Sequence, residues 1–389
     1  MKCETMKLSD CCNSIADGDH QPPPKANQGV PFVTIANINS YNEFDFSNTM
    51  FVPEEYYQNL ASKRKAQKGD VLYSVVGSFG IPVLIKDNKP FVFQRHIAIL
   101  RPNKKILSSF LYYTMLSKDF YSKADAVALG AAQRTISLTS LRNIEIQVPT
   151  VQFQHKVVGI LSAYDNLIEN NQKQIKLLEE AARRLYKEWF VDLRFPGHET
   201  TPIVDGVPEG WKRKKLIDIA DIQYGYAFDG SLFSTDKNGT PIVRIRNIPT
   251  GNTKDYTSEI ADNQYLVYNG DIVVGMDGEF HINSWAGKTA YLVQRTCRIK
   301  PKQEKIKGWL FQAIYSPIKY YEKTIVGATV AHLGKKHLDS IELLVGTENL
   351  YIPFQNIFEK RQILLNQNNE LKEARDRLLP KLMNGGIEV

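Results

Sequence analysis

The sequence predicts a mixed α/β protein: two similar α/β domains separated by two long antiparallel helices that form a coiled coil, arranged as a pseudo-twofold internal repeat. Three observations predict it. Short segments recur in the same order about 200 residues apart. Each copy is followed by a long stretch with one apolar stripe at helical spacing. The composition suits two packed cores, with 43% hydrophobic and 23% charged residues in a chain of 389.

The repeat is carried by six matches. PFVTIANI at 31–38 answers PIVRIRNI at 241–248, and GDVL at 69–72 answers GDIV at 270–273. HIAILRP at 96–102 and TCRIKP at 296–301 are basic segments ending in proline. SSFLYYTMLS at 108–117 and KGWLFQAIYS at 307–316 both read as helices. Gly130 precedes LTSLRNIEIQVPT at 138–150, and Gly327 precedes KKHLDSIELLVGT at 335–347. Phe153-Gln154 and Phe354-Gln355 then open the two helical stretches. The offset drifts, as expected if loops differ while the order of elements holds.

In the first helical stretch the apolar positions are Ile160, Tyr164, Leu167, Ile175, Leu178, Ala182, Leu185 and Trp189. In the second, Ile357, Leu364, Leu371 and Leu378 are seven apart, and Leu382 continues the stripe. Asn171 and Asn368 fall on these seams, where an asparagine either fixes register or lies partly exposed. The first helix should run roughly 38 residues, about 57 Å, to Pro196-Gly197. Pro380 and Gly385-Gly386 close the second. Each stripe needs a partner, and the other helix, packed antiparallel, is the natural one; otherwise each would pack on its own domain. In the globular halves Pro31–Ile38, Asp70–Val76 and Ile97–Leu100 read as strands. Residues 205–211, DGVPEGW, form a turn-rich opening to the second half. Glycine-rich stretches at 74–80 and 275–278 follow strands.

Charge and cysteine usage narrow the class. The net charge is +7 and the pI about 8.9, which suits a polyanionic partner without requiring one. Cys3, Cys11, Cys12 and Cys297 form no C-x-x-C pair, so neither a disulfide framework nor a zinc knuckle is expected. The start, MKCETMKLSDCC, has no apolar stretch of a signal peptide, and the run Ser74–Ile85 is too short to span a bilayer. A cytoplasmic protein without membrane contact is the expectation.

The search for catalytic chemistry returns little. GKT at 287–289 has Ile282 where a phosphate loop needs glycine, so a turn is expected. His332 and His337 are five apart, wrong for metal ligation from one helix face. Asp70 with Asp87-Asn88-Lys89 faintly resembles a nuclease D-x-K pattern. Gly69-Asp70 recurs as Gly270-Asp271 without a D-x-K, which favours a turn leading into a strand. Gln21-Pro22-Pro23-Pro24 lacks the flanks of an adenine methyltransferase motif, and no G-x-S-x-G occurs. The expectation is no catalytic residue, no metal and no cofactor on this chain.

The segments flanking the helices carry a resemblance. FQHKVVGILSAYDNLIENNQKQIKLLEEAARRLYKEWFVDLRFPG at 153–197, VPEGWKRKKLIDIADIQYG at 207–225 and LKEARDRLLPKLMNGGIEV at 371–389, with GDVLYSVVGSFG at 69–80, resemble the specificity subunits of type I restriction-modification enzymes. The resemblance covers essentially the whole chain, although the N-terminus lacks the EGW-type opening seen at 209–211. It implies target recognition domains at 1–150 and 197–346, a central spacer helix at 151–196 and a C-terminal spacer helix at 347–389. It further implies that each domain reads half of a split double-stranded DNA site. The helices would dock two methyltransferase subunits, which carry S-adenosylmethionine. Restriction subunits, with ATP and Mg, would join through them.

Side-chain chemistry then selects candidate DNA contacts: Lys25, Arg95, Gln133 and Arg134 in the first half, and Arg244, Arg246, Lys335 and Lys336 in the second. Gln133-Arg134 sit in the small-residue loop GAAQRTISL at 130–138, and Arg244 and Arg246 alternate with Val243 and Ile245 as on a half-buried strand. Each could instead be a solvated surface charge. Tyr224 and Tyr226, around Gly225, could touch DNA or simply pack, and packing is the preferred reading. The alternatives are a specificity subunit of a type II-like restriction-modification system, a coiled-coil scaffold with two ligand-binding domains, or a stand-alone nuclease at Asp87. The DNA target itself is not legible in the sequence.

Overall fold

A computed structural model describes residues 3–20, 22–130, 133–325 and 331–387. Gln21, Ala131-Ala132 and Gly327, which figure in the motifs above, lie outside the described residues. The chain divides into two compact units, Met1–Asp165 with Glu373–Val389, and Asn166–Lys372.

In the first unit a four-stranded antiparallel sheet runs in the order Cys12–Asp17, Ile97–Pro102, Val71–Ser74, Pro82–Leu84. Val71–Ser74 is buried throughout, because the pleat sends alternate side chains into two different cores. Val71, Tyr73, Ala98 and Leu100 face the helix Ser108–Leu116 through Phe110 and Leu111. Leu72, Ile97 and Ile99 face the opposite way, toward Val33, Phe91 and Phe93. Val33 and Phe93 belong to a smaller sheet in which Val30–Val33 pairs antiparallel with Met50–Val52 and parallel with Val92–Phe93.

The second unit repeats this plan. Its four-stranded sheet is ordered Ala220–Tyr224, Thr296–Pro301, Ile272–Gly275, Ile282–Ser284. Ile272, Val274, Cys297 and Ile299 meet Trp309 and Leu310 on one face, while Val273 meets Val243, Trp285 and Leu292 on the other. Its smaller sheet has five strands, with Thr240–Val243 again parallel to Ala290–Leu292. The missing EGW-type opening does not alter the start of the first unit. Cys3–Lys7 pairs antiparallel with Glu145–Pro149, as Lys212–Lys215 pairs with Glu342–Val345. The DGVPEGW segment forms a tight hairpin, Ile203–Val204 against Val207–Pro208, with Asp205 and Gly206 both at positive φ as a two-residue turn requires.

The Gly-Asp pair is the turn that its recurrence suggested. Gly69 and Gly270 have φ of 93° and 85°, and the following carboxylates accept the N–H groups of Gln67 and Tyr268, each at 2.9 Å. Asp70 is further held by Arg101, and Asp271 lies 3.7 Å from Arg298. Asp87 caps the Lys89 N–H, and the Lys89 ammonium lies over the Phe46 ring, so D-x-K is also a turn. GKT at 287–289 is a bend between strands, with Lys288 O accepting from the Trp285 indole.

Two expected strands are shorter than their apolar runs. Val30–Val33 and Thr240–Val243 give way to 3₁₀ turns at Ile35–Asn37 and Ile245–Asn247. In both, the asparagine side chain accepts a backbone N–H three residues back, from Thr34 and from Arg244, each at 2.8 Å. That local bond competes with the ladder and ends the strand.

The long helices are α1, Val151–Tyr186, and α2, Ile352–Met383. Their partners run in opposite directions. Within the second unit Tyr186 packs on Phe354, Glu179 accepts from Arg361 at 2.7 Å, and Asn171 donates to Gln367. Within the first, Asp165 accepts from Arg375 at 2.6 Å, and Leu379 and Leu382 share a core with Val157 and Leu161. The helices therefore pair antiparallel, and both seam asparagines, Asn171 and Asn368, are buried.

The phase of the α1 stripe differs from the sequence reading in its first half. Ile160 and Leu167 are 37% and 52% exposed, and the seam runs instead through Val157, Leu161 and Ile168. Both sets fit a helical period, and only the packing partner distinguishes them. α1 also ends before Pro196: a π turn at Lys187–Val191 follows it and swings Phe190 onto Trp211, Trp309 and Phe354.

Candidate nucleic-acid interface

The same backbone frame recurs at the end of the four-stranded sheet in each unit. It begins at a glycine that admits no side chain: a Cβ on Gly18 would fall 2.2 Å from Phe93 O, and one on Gly225 2.1 Å from Val293 O. The Gly18 N–H donates to Ile97 O, and that of Gly225 to Thr296 O. The next residue, Asp19 or Tyr226, donates to Phe93 O or Leu292 O and accepts from the N–H of Arg95 or Gln294. A tight turn at Gln94–His96, or Val293–Arg295, is thereby clamped between strands. Its last carbonyl, on His96 or Arg295, accepts from Val75 or Met276. Val75 O and Met276 O in turn accept from Ile136 and Leu333, and the N–H groups of Gly77 and Gly278 donate to Arg134 O and Ala331 O. Three loops thus converge in each unit: the turn tip, the glycine-rich loop after the central strand, and the loop before a short helix.

The side chains on this frame differ between units. Among the first-half candidates, Arg95 is exposed on the turn tip, and Gln133 is exposed on the adjoining loop. Arg134 is half-buried, its guanidinium bound to the Asp125 carbonyl and carboxylate at 2.5 and 2.7 Å. Lys25 is exposed apart from these, beside Ala26, which bridges to Phe51 in the smaller sheet. Asp17 and Asp19 stand near the tip with Arg64, 3.8 Å from each.

In the second half Arg244 is not on a strand but opens the 3₁₀ turn, and its guanidinium lies 5.4 Å over Phe233. It stays close to the tip because Val293 N–H donates to Val243 O. Arg246, 61% exposed, forks onto Asp255 at 2.7 and 3.2 Å. Burial pushes the Asp255 carboxyl up, but the bonds from Arg246 and Asn247 outweigh it and hold the pKa below the usual range. Lys335 and Lys336 are exposed at the start of Lys335–Asp339, just beyond Leu333 on the converging loop. Tyr224 lines a hollow, and burial raises its pKa, while the Tyr226 ring packs against Phe228 and Tyr265.

Four residues at this place were not among the sequence candidates. Gln294 and Arg295 are exposed on the tip, and Asp277 and His332 face Arg295. The Asp277 carboxylate accepts from His332 Nδ1 at 2.5 Å and lies 3.4 Å from Arg295 Nε. Arg295 has φ of 70°, a left-handed conformation that costs a non-glycine residue about 1–3 kcal/mol. Gln294, Arg295 and His332, with Tyr224, Gly225, Met276 and Thr296, line a hollow of about 230 Å³. Aligning HIAILRP with TCRIKP from their prolines sets Arg95-His96 opposite Gln294-Arg295, so a signal was present. His337, by contrast, turns inward, its ring accepting from the Gly334 N–H and packing on Tyr321. Among the described residues no cluster of three or more His, Cys, Asp or Glu could hold a metal, and no helix is long and apolar enough to cross a membrane.

The family model described as the type I restriction modification DNA specificity domain matches residues 2–180 and 208–345. The chain belongs to that family. Its two matched stretches each contain one copy of the frame. Among relatives, it is 24% identical over 380 residues to the type I restriction enzyme MjaIX specificity subunit of Methanocaldococcus jannaschii, covering 92% of this chain and 87% of that one. It is 23% identical to the HindI specificity subunit of Haemophilus influenzae, over 92% of this chain and 94% of that one. The crystal structure of the type I restriction-modification S subunit from M. genitalium aligns over 98% of this chain and 96% of that one, with TM-score 0.53 and 16% identity. At that identity the likeness is one of fold: this family's two α/β domains with long helices.

Proposed function

We propose that this chain is the DNA-reading subunit of a type I restriction-modification complex, without catalytic activity of its own. Each unit reads one half of a split double-stranded site through its three converging loops. The long helices dock two methyltransferase subunits, and restriction subunits join through these. S-adenosylmethionine, ATP and Mg act on the partner subunits.

One observation carries the reading: the two units keep one backbone frame and vary the exposed polar side chains on it. Arg95 stands where the second unit has Gln294, and His96 where it has Arg295. Constant frame with variable polar tips is what two readers of different sequences require, since arginine and glutamine suit different base edges.

The test is adenine methylation mapped across a genome in cells carrying this chain with its methyltransferase. Methylation at one bipartite sequence, absent without this chain, is the expected result. Methylation that ignores this chain, or methyl transfer by the pure chain alone, overturns the proposal. Duplex binding should also weaken steeply with salt as counterions are released.

A further inference from the structure

Resting on that reading, we infer that the turn tip Val293–Arg295 is the base-reading element of the second unit, with Arg295 recognising a guanine. Arg295 is exposed and occupies the left-handed region, which the equivalent residue of the first unit, His96, does not. The backbone bonds that the two units share do not require the strain, because the first unit makes them without it; the second unit adds one, from Val293 N–H to Val243 O. What the strained backbone secures is the direction of the side chain. Asp277 then braces it: the carboxylate lies 3.4 Å from Nε and is itself held by His332 Nδ1 at 2.5 Å. A guanidinium oriented in this way is pre-organised for the paired O6 and N7 acceptors of guanine in the major groove. The other cations nearby are less suited to the task. Arg246 spends its fork on Asp255, Arg244 stacks on Phe233, and Lys335 and Lys336 present single ammonium groups suited to phosphate.

The experiment uses the full chain with its methyltransferase partner and two variants, Arg295→Gly and Arg295→Lys. Glycine suits φ of 70°, so Arg295→Gly removes the side chain without adding backbone strain, and its thermal midpoint should not fall. Lysine keeps the charge and loses the fork. Methylated sites are mapped for each, and duplexes carrying every single base-pair change of the parent site are titrated by anisotropy. Both variants should lose about 5- to 150-fold of discrimination at one G·C pair of one half-site, with the other half-site and the salt slope unchanged. A uniform loss over all duplexes, with the salt slope reduced by about 1 in Arg295→Gly, would make Arg295 a phosphate contact and overturn the inference. A parent that specifies a split site and variants that specify the same site overturn it too, while leaving the DNA-reading role standing. A parent that specifies no site overturns both.

Discussion

The first and second units share a scaffold down to individual backbone bonds and differ most where that scaffold meets solvent. Gly18 and Gly225 are both indispensable for the same close approach, and Asp70 and Asp271 close the same turn. Their partners already diverge: Asp70 is held by Arg101, whereas Asp271 faces Arg298, which stands two strand positions earlier in the repeat. At the tips nothing is kept. The first unit sets an acidic pair, Asp17 and Asp19, near Arg95, while the second sets Tyr224, Tyr226 and Gln294 in the corresponding places. Buried positions tolerate little because any change opens a cavity or strands a polar group. Tip positions tolerate much because water satisfies whatever is there.

The largest effects should fall on the shared scaffold. Phe110 and Trp309 are fully buried at matching places. Phe110→Ala and Trp309→Ala should each cost about 3–5 kcal/mol. Hydrogen exchange should show lost protection in the strands of the mutated unit; equal loss from an exposed change such as Tyr320→Ala would break the argument.

Next come the ionic contacts between the helices. Arg361 is bound by Glu179, Ser284 and Asn283, and Arg375 by Asp165 and Asp376. Removing either should cost about 1–3 kcal/mol, because a half-buried carboxylate loses its partner. Urea titration of Arg361→Met and Arg375→Met measures it. Arg361 should matter more, being 6% exposed.

The helices also test whether two readers share one ruler. Four residues inserted near Glu179 add about 6 Å of helix at ~1.5 Å each. At ~3.4 Å per base pair the DNA spacer should lengthen by one or two pairs, with both half-sequences kept. Methylome mapping reads this directly, and an unchanged spacer would mean that the helices only brace each unit.

Smaller effects should separate the two sets of candidate contacts. Lys335→Ala should weaken binding across all duplexes and reduce the salt slope by about 1. Arg134→Ala should change it less, because that guanidinium is already committed to Asp125. Anisotropy at several salt concentrations compares them; a larger effect at Arg134 would show that the Asp125 pair opens on DNA.

The smallest effect is on acid stability. The Asp255 pKa is depressed, so its ion pair with Arg246 stabilises the fold fully above its ordinary value of 3.8. That contribution fades as the pH falls through the lower folded pKa. Asp255→Asn should therefore be less stable than the parent at neutral pH, with the gap closing in acid. A gap that widens in acid would contradict the assignment.

The sequence alone determined the repeat, the long helices, the turn at Gly-Asp and the family. Each is written in local order: a glycine before an aspartate, a stripe every three or four residues, a proline closing a strand. Those features depend on neighbours along the chain, and a linear reading sees them. Only the tertiary structure decided which face of α1 is buried, because Val157, Leu161 and Ile168 fit a helical period as well as Ile160 and Leu167 do. It alone ended the strands at Val33 and Val243, where an asparagine four residues on takes the backbone bond. And it alone gathered Asp277, Arg295 and His332, which stand up to 55 residues apart in the chain. Recognition needs polar groups brought together from separate loops, and only the paired strands beneath them set those distances.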